Sequence, residues 1–363
     1  MSDGRKKVFG ILTSGGDAPG LNAAIRGVAR TAIDCFGMRV IGIRDGYRGL
    51  IDGNASELFD ADFSGIISRG GTILGTSREK PFKNKTIDIE TGKTAVEKIK
   101  ANYRKWGLDA LVVLGGNGTM TTANLLAEEG LNIIGVPKTI DNDIAETDIS
   151  FGFHSAMSVA TEAIDRIHTT AHSHNRMMIV EVMGHKAGWL ALYAGIAGGG
   201  DVILIPEIPY NAEYVAEYIL KRKKAGKQFS IVVVAEGAMT EEEAKLDKKE
   251  FKKRRKEMAG SIGYRLASEL STITGLEPRV TVLGYIQRGG TPAPYDRTLA
   301  TELGSFAANM LATERYGEMV AIQGGRILGV PLHKVAGKTK KVPLEHPMIQ
   351  AARDLCTCMG NSF

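Results

Sequence analysis

Cysteine is scarce: the chain has three in 363 residues, Cys35, Cys356 and Cys358, which excludes a disulfide framework. The single residue between the last two excludes a CxxC metal or redox pair as well, and a reducing, cytoplasmic setting is expected. Aromatic residues make up only 6% of the chain, too few to suggest an aromatic ligand platform. No apolar run approaches the ~20 residues that a membrane-spanning helix needs. The basic start Arg5, Lys6, Lys7 leads only into the short stretch 8–13, which reads as a buried strand and not as a leader. Two phosphate-binding signatures are also missing, the GxxxxGK[ST] of a P-loop and the GxGxxG of a dinucleotide fold. The net charge of +5 is modest, and part of it sits in KRKK (221–224) and KKEFKKRRK (248–256). The two runs hold a single aromatic between them, Phe251, short of the interleaving that stacks on bases, and the second follows the acidic EEE at 241–243. Both read as solvated helix faces, with neither nucleic acid nor membrane as partner.

What is present is a succession of short β-branched runs that end in glycine or turn residues and lead into helical patterns. They are VFGILTSGG from Val8, ALVVLGGNG from Ala110, NIIGVPKTIDND from Asn132 and SIVVVAEG from Ser230. Runs that are apolar throughout are the mark of parallel strands buried on both faces, so a βαβ architecture is expected. Apolar residues recur every three or four positions over 22–35, 95–106, 154–168 and 213–224, predicting helices. The length accommodates two α/β domains or one large open sheet. No short repeat and no low-complexity linker is present, and the polar stretch 240–256 reads as a protruding helical segment.

In open α/β sheets ligands bind outside the carboxyl ends of the strands, and three such ends carry the chemistry here. TSGGDAPGLN (13–22) strips side chains at Gly15 and Gly16 just before a helix, leaving backbone N–H groups and the helix dipole for an anion. By itself such a turn is equally a tight connection. LGGNGT (114–119) repeats it with Gly115, Gly116 and Gly118, adding Asn117 and Thr119, and the recurrence favours a polyphosphate. PKTIDNDI (137–144) places Asp141 and Asp143 two apart, after Lys138 and Thr139. A carboxylate there can accept a hydroxyl proton or hold a divalent cation while the lysine and threonine offset phosphoryl charge. An Asx-rich turn is the plainer alternative.

Together, and in this order, the three segments resemble the bacterial-type phosphofructokinases. The resemblance continues through SHNRMMIVEVMGHKAGWLA (173–191), IAGGGD (196–201), VAEG (234–237) and TVLGYIQRGGTPAPYDR (281–297). It leaves out the first few residues, the insert near 240–256 and the C-terminal tail. It implies two Rossmann-like three-layer α/β/α domains with mostly parallel sheets. Residues 1–151 plus 264–314 would form a larger domain binding ATP and Mg²⁺, and 152–263 plus 315–363 a smaller one binding fructose 6-phosphate. Asp141 matches the catalytic base for the sugar 1-hydroxyl, and Thr139 a residue beside the transferred group. Ile140, Arg176, Met183, Gly184, His185, Glu236, Arg279, Tyr285, Ile286, Gln287 and Arg288 fall at sugar-phosphate positions, where the arginines suit bidentate binding of phosphate. Gly16, Arg78, Gly116, Asn117, Gly118 and Thr119 fall at donor positions, with Tyr47 either near the nucleotide or simply a packed aromatic. The family's Arg176 and Arg279 counterparts reach the site from a neighbouring subunit, implying a homo-oligomer, commonly a tetramer, with shared active sites.

Several positions depart from the pattern. Asn117 stands where many members have aspartate, so Mg²⁺ would lean on donor phosphates, water and Asp143. Gly118 is the small residue of ATP users, where pyrophosphate users carry a blocking aspartate, whereas Lys138 is the lysine that pyrophosphate users apply to the donor. Steric exclusion decides in favour of ATP, with pyrophosphate as the alternative donor. His185 replaces an arginine beside the sugar. Of the effector-site arginines Arg26 and Arg30 are retained, while His168 replaces another. A sugar-phosphate or nucleotide binder without catalysis is the alternative of a different class.

Overall fold

The computed structural model describes residues 5–84, 86–89, 91–174, 176–257 and 260–361. Its chain divides into two compact units. One comprises Met1–Ile140, Ile144–Ser155 and Arg288–Thr339, the other Asp141–Asp143, Ala156–Gln287 and Lys340–Phe363.

The first unit is built on a seven-stranded sheet. Its strands are β1 (Val8–Ser14), β2 (Arg39–Ile43), β3 (Ala55–Leu58), β4 (Ala110–Gly115) and β5 (Ile133–Pro137). Two late strands complete it, labelled in chain order β10 (Glu318–Gln323) and β11 (Arg326–Pro331), giving the order β11-β10-β5-β4-β1-β2-β3. The central strands run parallel, and only the outer pairs β2–β3 and β10–β11 are antiparallel. Every residue of β1, β4 and β5 is buried, as their near-continuous apolar sequences require. Successive side chains alternate between faces. Val112 and Leu114 thus join the core under helices Leu21–Phe36 and Pro294–Ala312. Leu111 and Val113 join a second core under Gly46–Asp52, Ala95–Lys105 and Asn117–Glu128. Helices cover both faces, the three-layer arrangement expected.

The second unit has four strands, β6 (Met177–Val182), β7 (Val202–Leu204), β8 (Ser230–Ala235) and β9 (Pro278–Val282), all parallel in the order β7-β8-β6-β9. Helices Ala212–Lys224 and Ile262–Thr274 share a core with one face of this sheet. On the other face, helix Trp189–Ala197 approaches so closely that a Cβ on Gly195 would lie 2.8 Å from Ile203.

The grouping of late segments differs from the expected 264–314 and 315–363. Helix Ile262–Thr274 and β9 belong with β6, and the chain returns to the first unit only at Arg288. It stays there through β10 and β11 because β10 hydrogen-bonds to β5. The polar insert is a solvated face at Lys249, Glu250, Lys252 and Lys253, which are exposed, but not throughout. Its helices are Glu241–Ala244 and Lys248–Glu257, and Glu243 is buried and accepts from Arg265 at 2.9 Å. Arg255 donates to the carbonyls of Glu236 and Ala238. A charge that finds a partner and backbone acceptors can turn inward, which composition alone does not register. The side chains of Lys248 and Lys256 lie outside the described residues.

Candidate active site

In the first unit the pairing register brings the two glycine loops and the Lys138–Ile140 start of the third loop side by side. Ser14 pairs with Gly115, and Gly115 with Pro137, so β1, β4 and β5 end level. Their loops are then laced together. Thr119 Oγ1 donates to the Ser14 carbonyl at 3.2 Å, Lys138 N–H to the Gly115 carbonyl at 3.0 Å, and the Lys138 ammonium to the Gly16 carbonyl. Gly15 has φ 88°, a conformation that side-chain-bearing residues rarely adopt. The N-cap of helix Asn117–Glu128 is Gly116, so no capping side chain competes for the first-turn N–H groups, and no acid stands in that turn to repel an anion. A Cβ built on Gly118 meets nothing within 4 Å. Neither packing nor backbone conformation demands glycine there.

Further polar groups gather around this edge. Gly15 N–H donates to the Ser77 carbonyl and Thr76 Oγ1 to the Gly15 carbonyl, at 2.9 and 2.7 Å, which joins the Arg78 segment to the first loop. Arg78 lines a basin of about 550 Å³ with Arg48, Lys80 and Lys83 against the single acid Glu79, an excess of cations suited to phosphates. Arg288 donates to the Asp17 carbonyl at 3.0 Å and lies 2.9 Å from a Cβ built on Gly16. Its guanidinium therefore belongs with the first glycine loop. Tyr47 is buried and donates to the Thr119 carbonyl at 3.0 Å. Burial pushes its hydroxyl pKa up, so it is a neutral donor bracing the second loop. Thr139 and Ile140 are buried, and the Thr139 carbonyl accepts from Ser150 Oγ at 3.1 Å.

In the second unit β6 and β8 also end level, with Val182 opposite Ala235. The loops beyond them press together. His185 N–H donates to Glu236 Oε1 at 2.7 Å, and a Cβ on Gly237 would stand 2.2 Å from the His185 carbonyl oxygen. His185 itself is held at φ 53° and Gly184 at φ 141°. Gln287, fully buried, accepts from Met183 N–H at 3.3 Å and donates to the Gly284 carbonyl at 3.0 Å. These residues border a cavity of about 190 Å³ lined by Glu181, Val182, Met183, Glu236, Val282, Gly284 and Tyr285. Ile286 is exposed and is not among the lining residues. Also in this unit, Asn142 sits at φ 49° between Asp141 and Asp143, and all three are buried. Asparagine is among the few residues that tolerate that conformation.

The family model for phosphofructokinase matches residues 8–311. The chain belongs to the phosphofructokinase family. Among its curated relatives, the ATP-dependent 6-phosphofructokinase of Spirochaeta thermophila is 60% identical over 358 residues, 98% of each chain. The ATP-dependent 6-phosphofructokinase 3 of Bacteroides thetaiotaomicron is 52% identical over 97% of this chain and 99% of its own. Among solved structures, phosphofructokinase from Saccharomyces cerevisiae superposes with a TM-score of 0.77 at 34% identity. The match covers 91% of this chain and 45% of the yeast chain.

For this phosphofructokinase-family chain the structure groups the sequence-predicted residues unevenly. Gly16, Gly116, Asn117, Gly118, Thr119, Lys138 and Thr139 stand on three adjacent loops of one sheet, with Arg78 joined to them. Met183, Glu236 and Tyr285 line one cavity, with Gly184, His185 and Gln287 bonded around it. Arg176 and Arg279 stand apart from that cavity. They lie at the amino ends of β6 and β9, sharing Glu277 at 3.8 and 2.6 Å. The six residues of β6, roughly 20 Å of extended chain, separate them from Met183. Asn175 of the SHNR motif lies outside the described residues. Sequence reading passed over Glu181, which borders the cavity and accepts from Gly263 N–H at 2.8 Å. Its signal was a charge inside the otherwise apolar run MMIVEV. Lys340 and Trp189, which touch the acid turn or its support, gave no comparable signal.

Proposed function

We propose that the protein is an ATP-dependent 6-phosphofructokinase that converts fructose 6-phosphate to fructose 1,6-bisphosphate. The observation that carries this reading is the level ending of β1, β4 and β5, which sets two glycine loops and the lysine–threonine start of the acid turn on one sheet edge. The first two supply N–H groups and helix dipoles for donor phosphates, and the third leads directly into Asp141. Asp141 accepts the proton of the sugar 1-hydroxyl as that oxygen bonds to the γ-phosphorus, while the bond from phosphorus to the ADP oxygen breaks. Lys138, Thr139 and the helix beginning at Asn117 offset the charge of the moving phosphoryl group. Glu236 and the Met183–His185 loop orient the sugar. The proposed setting is cytoplasmic.

Among the described residues no group of three or more His, Cys, Asp or Glu side chains could enclose a metal. Mg²⁺ is ordinarily held through one or two carboxylates together with substrate phosphates and water; Asp143 and Asn117 would supply the protein oxygens. When bound, the ion neutralises phosphate charge. Open space at Gly118 supports ATP, and the names of the close relatives agree. The Lys138 ammonium on the first glycine loop favours pyrophosphate as the second reading. The position of Arg176 and Arg279, remote from their own chain's sugar cavity, supports a homo-oligomer in which they serve a neighbour's site, as in a tetramer.

The test measures fructose 1,6-bisphosphate formation with ATP and with pyrophosphate, Mg²⁺ present, for the wild type and Asp141→Ala. Product from ATP, with kcat reduced about 10²- to 10⁴-fold in the variant, is the expected result. Product from pyrophosphate alone overturns the donor assignment, and an unimpaired variant overturns the assigned base.

A further inference from the structure

Resting on the reading of Asp141 as the base, we infer that Lys340, from the C-terminal segment beyond the matched family region, is a positioning residue for the acid turn. Four contacts within the second unit converge on it. Its ammonium donates to Asn142 Oδ1 at 3.2 Å. Its backbone N–H donates to the Asp143 carbonyl at 2.8 Å. Its own carbonyl accepts from Trp189 Nε1 at 3.1 Å, and its ammonium lies 5.3 Å from the centroid of the Trp189 ring.

The support behind these contacts is itself fixed. Glu207 accepts from Gly188 N–H and from Val342 N–H, each at 3.0 Å, so one carboxylate ties the residue before Trp189 to the residue two beyond Lys340. His346 packs edge-on against Trp189 at 5.2 Å. A lysine stem ordinarily loses considerable rotamer freedom when held, and here the ring and the amide hold the ammonium from two directions.

What is held is strained. Asn142 has φ 49°, and a residue kept in that region persists only where its surroundings fix it. Its side-chain amide is the atom that Lys340 grips, and its backbone determines the directions of the Asp141 and Asp143 side chains on either side. Releasing the grip lets the turn relax and misdirects the base, and a misplacement of about 1 Å costs on the order of 10²-fold in rate. Each of these contacts is with the acid turn or its support, so the effect falls on kcat and not on KM.

The experiment uses full-length enzyme and steady-state kinetics with ATP and fructose 6-phosphate. Lys340→Met removes the charge and the hydrogen bond while keeping the stem. It lowers kcat about tenfold or more and leaves both KM values within about threefold. Lys340→Arg, which keeps a cation on the Trp189 ring, restores kcat to within about threefold. Asn142→Gly provides a second route, since glycine adopts the turn freely but removes the side-chain amide that the ammonium grips; it too lowers kcat about tenfold. A folded Lys340→Met or Asn142→Gly enzyme with kcat within twofold of wild type overturns the inference, as does a loss confined to KM.

Combining Lys340→Met with Asp141→Asn separates the two readings. If Lys340 acts through the base, the double variant is no slower than Asp141→Asn alone. Independent, multiplying effects refute the inference. If Asp141→Asn alone stays within tenfold of wild type, the base assignment fails, whatever Lys340 does. If it loses about 10²-fold or more while Lys340→Met loses nothing, the base stands and only the role of Lys340 falls.

Discussion

Replacing Gly118 by aspartate separates a ligand-driven glycine from a structural one. A Cβ at this position meets no atom within 4 Å, and Gly118 is the second residue of helix Asn117–Glu128. Exchanging a helical glycine for aspartate recovers only about 0.3 kcal/mol of propensity, and an acid in the first turn adds about 0.3–1 kcal/mol through the helix dipole. The Tm of Gly118→Asp therefore equals or exceeds that of the wild type. Catalysis with ATP moves the other way. A carboxylate about 5 Å from a nucleotide phosphate, at an effective dielectric near 20, is repelled by about 3 kcal/mol per unit charge. That corresponds to roughly a 10²-fold loss in kcat/KM for ATP, whereas pyrophosphate, which has no α-phosphate, is spared. Differential scanning fluorimetry and coupled kinetics with both donors read the two effects. A variant with unaltered Tm and ATP kcat/KM within threefold of wild type refutes the claim that the open space at Gly118 receives the donor.

Two further predictions concern assembly and pH. Arg279→Ala and Glu236→Ala enzymes, each with a greatly raised KM for fructose 6-phosphate, should recover activity when denatured together and refolded as hybrids, because some sites then combine an intact arginine with an intact glutamate; absence of recovery rules out shared sites. Asp296 is buried, and accepts from Ser155 N–H at 2.7 Å and Ser155 Oγ at 2.6 Å. Burial raises its pKa, so the folded state retains the proton more firmly than the unfolded chain. The stability linked to it is fully present below the unfolded carboxyl pKa and is lost as pH rises through the folded one. The Tm of Asp296→Asn should accordingly gain on that of the wild type as pH rises above the ordinary aspartate value of about 4, and a difference in Tm that does not change with pH contradicts the assignment.

The first unit shows how much periodicity conveys. VFGIL and ALVVLG are apolar at every position, and only burial on both faces satisfies such strands, so parallel pairing and covering helices follow from sequence. Local chemistry was equally legible at Gly15, where positive φ selects glycine, and at the helix start after Gly116. The predicted helix at 95–106 appears as Ala95–Lys105, with Thr94 and Glu97 forming the reciprocal cap at its start. The order of β10 and β11 in the sheet was not legible. Their sequences EMVAIQ and RILGVP state a strand but not its neighbour, and pairing with β5 across nearly two hundred residues of chain is a matter of long-range closure.

By itself, then, the sequence determined the class of fold, the glycine loops and the acid pair, because each is written in a short window where backbone conformation and burial act locally. Only the tertiary structure decided that Arg288 lies on the first glycine loop, that Arg176 and Arg279 stand at the far end of β6 from Met183, and that Lys340 grips Asn142. A long cationic side chain has no periodicity, and which oxygen its charge reaches depends on which segments the packed core brings within a few ångströms of it.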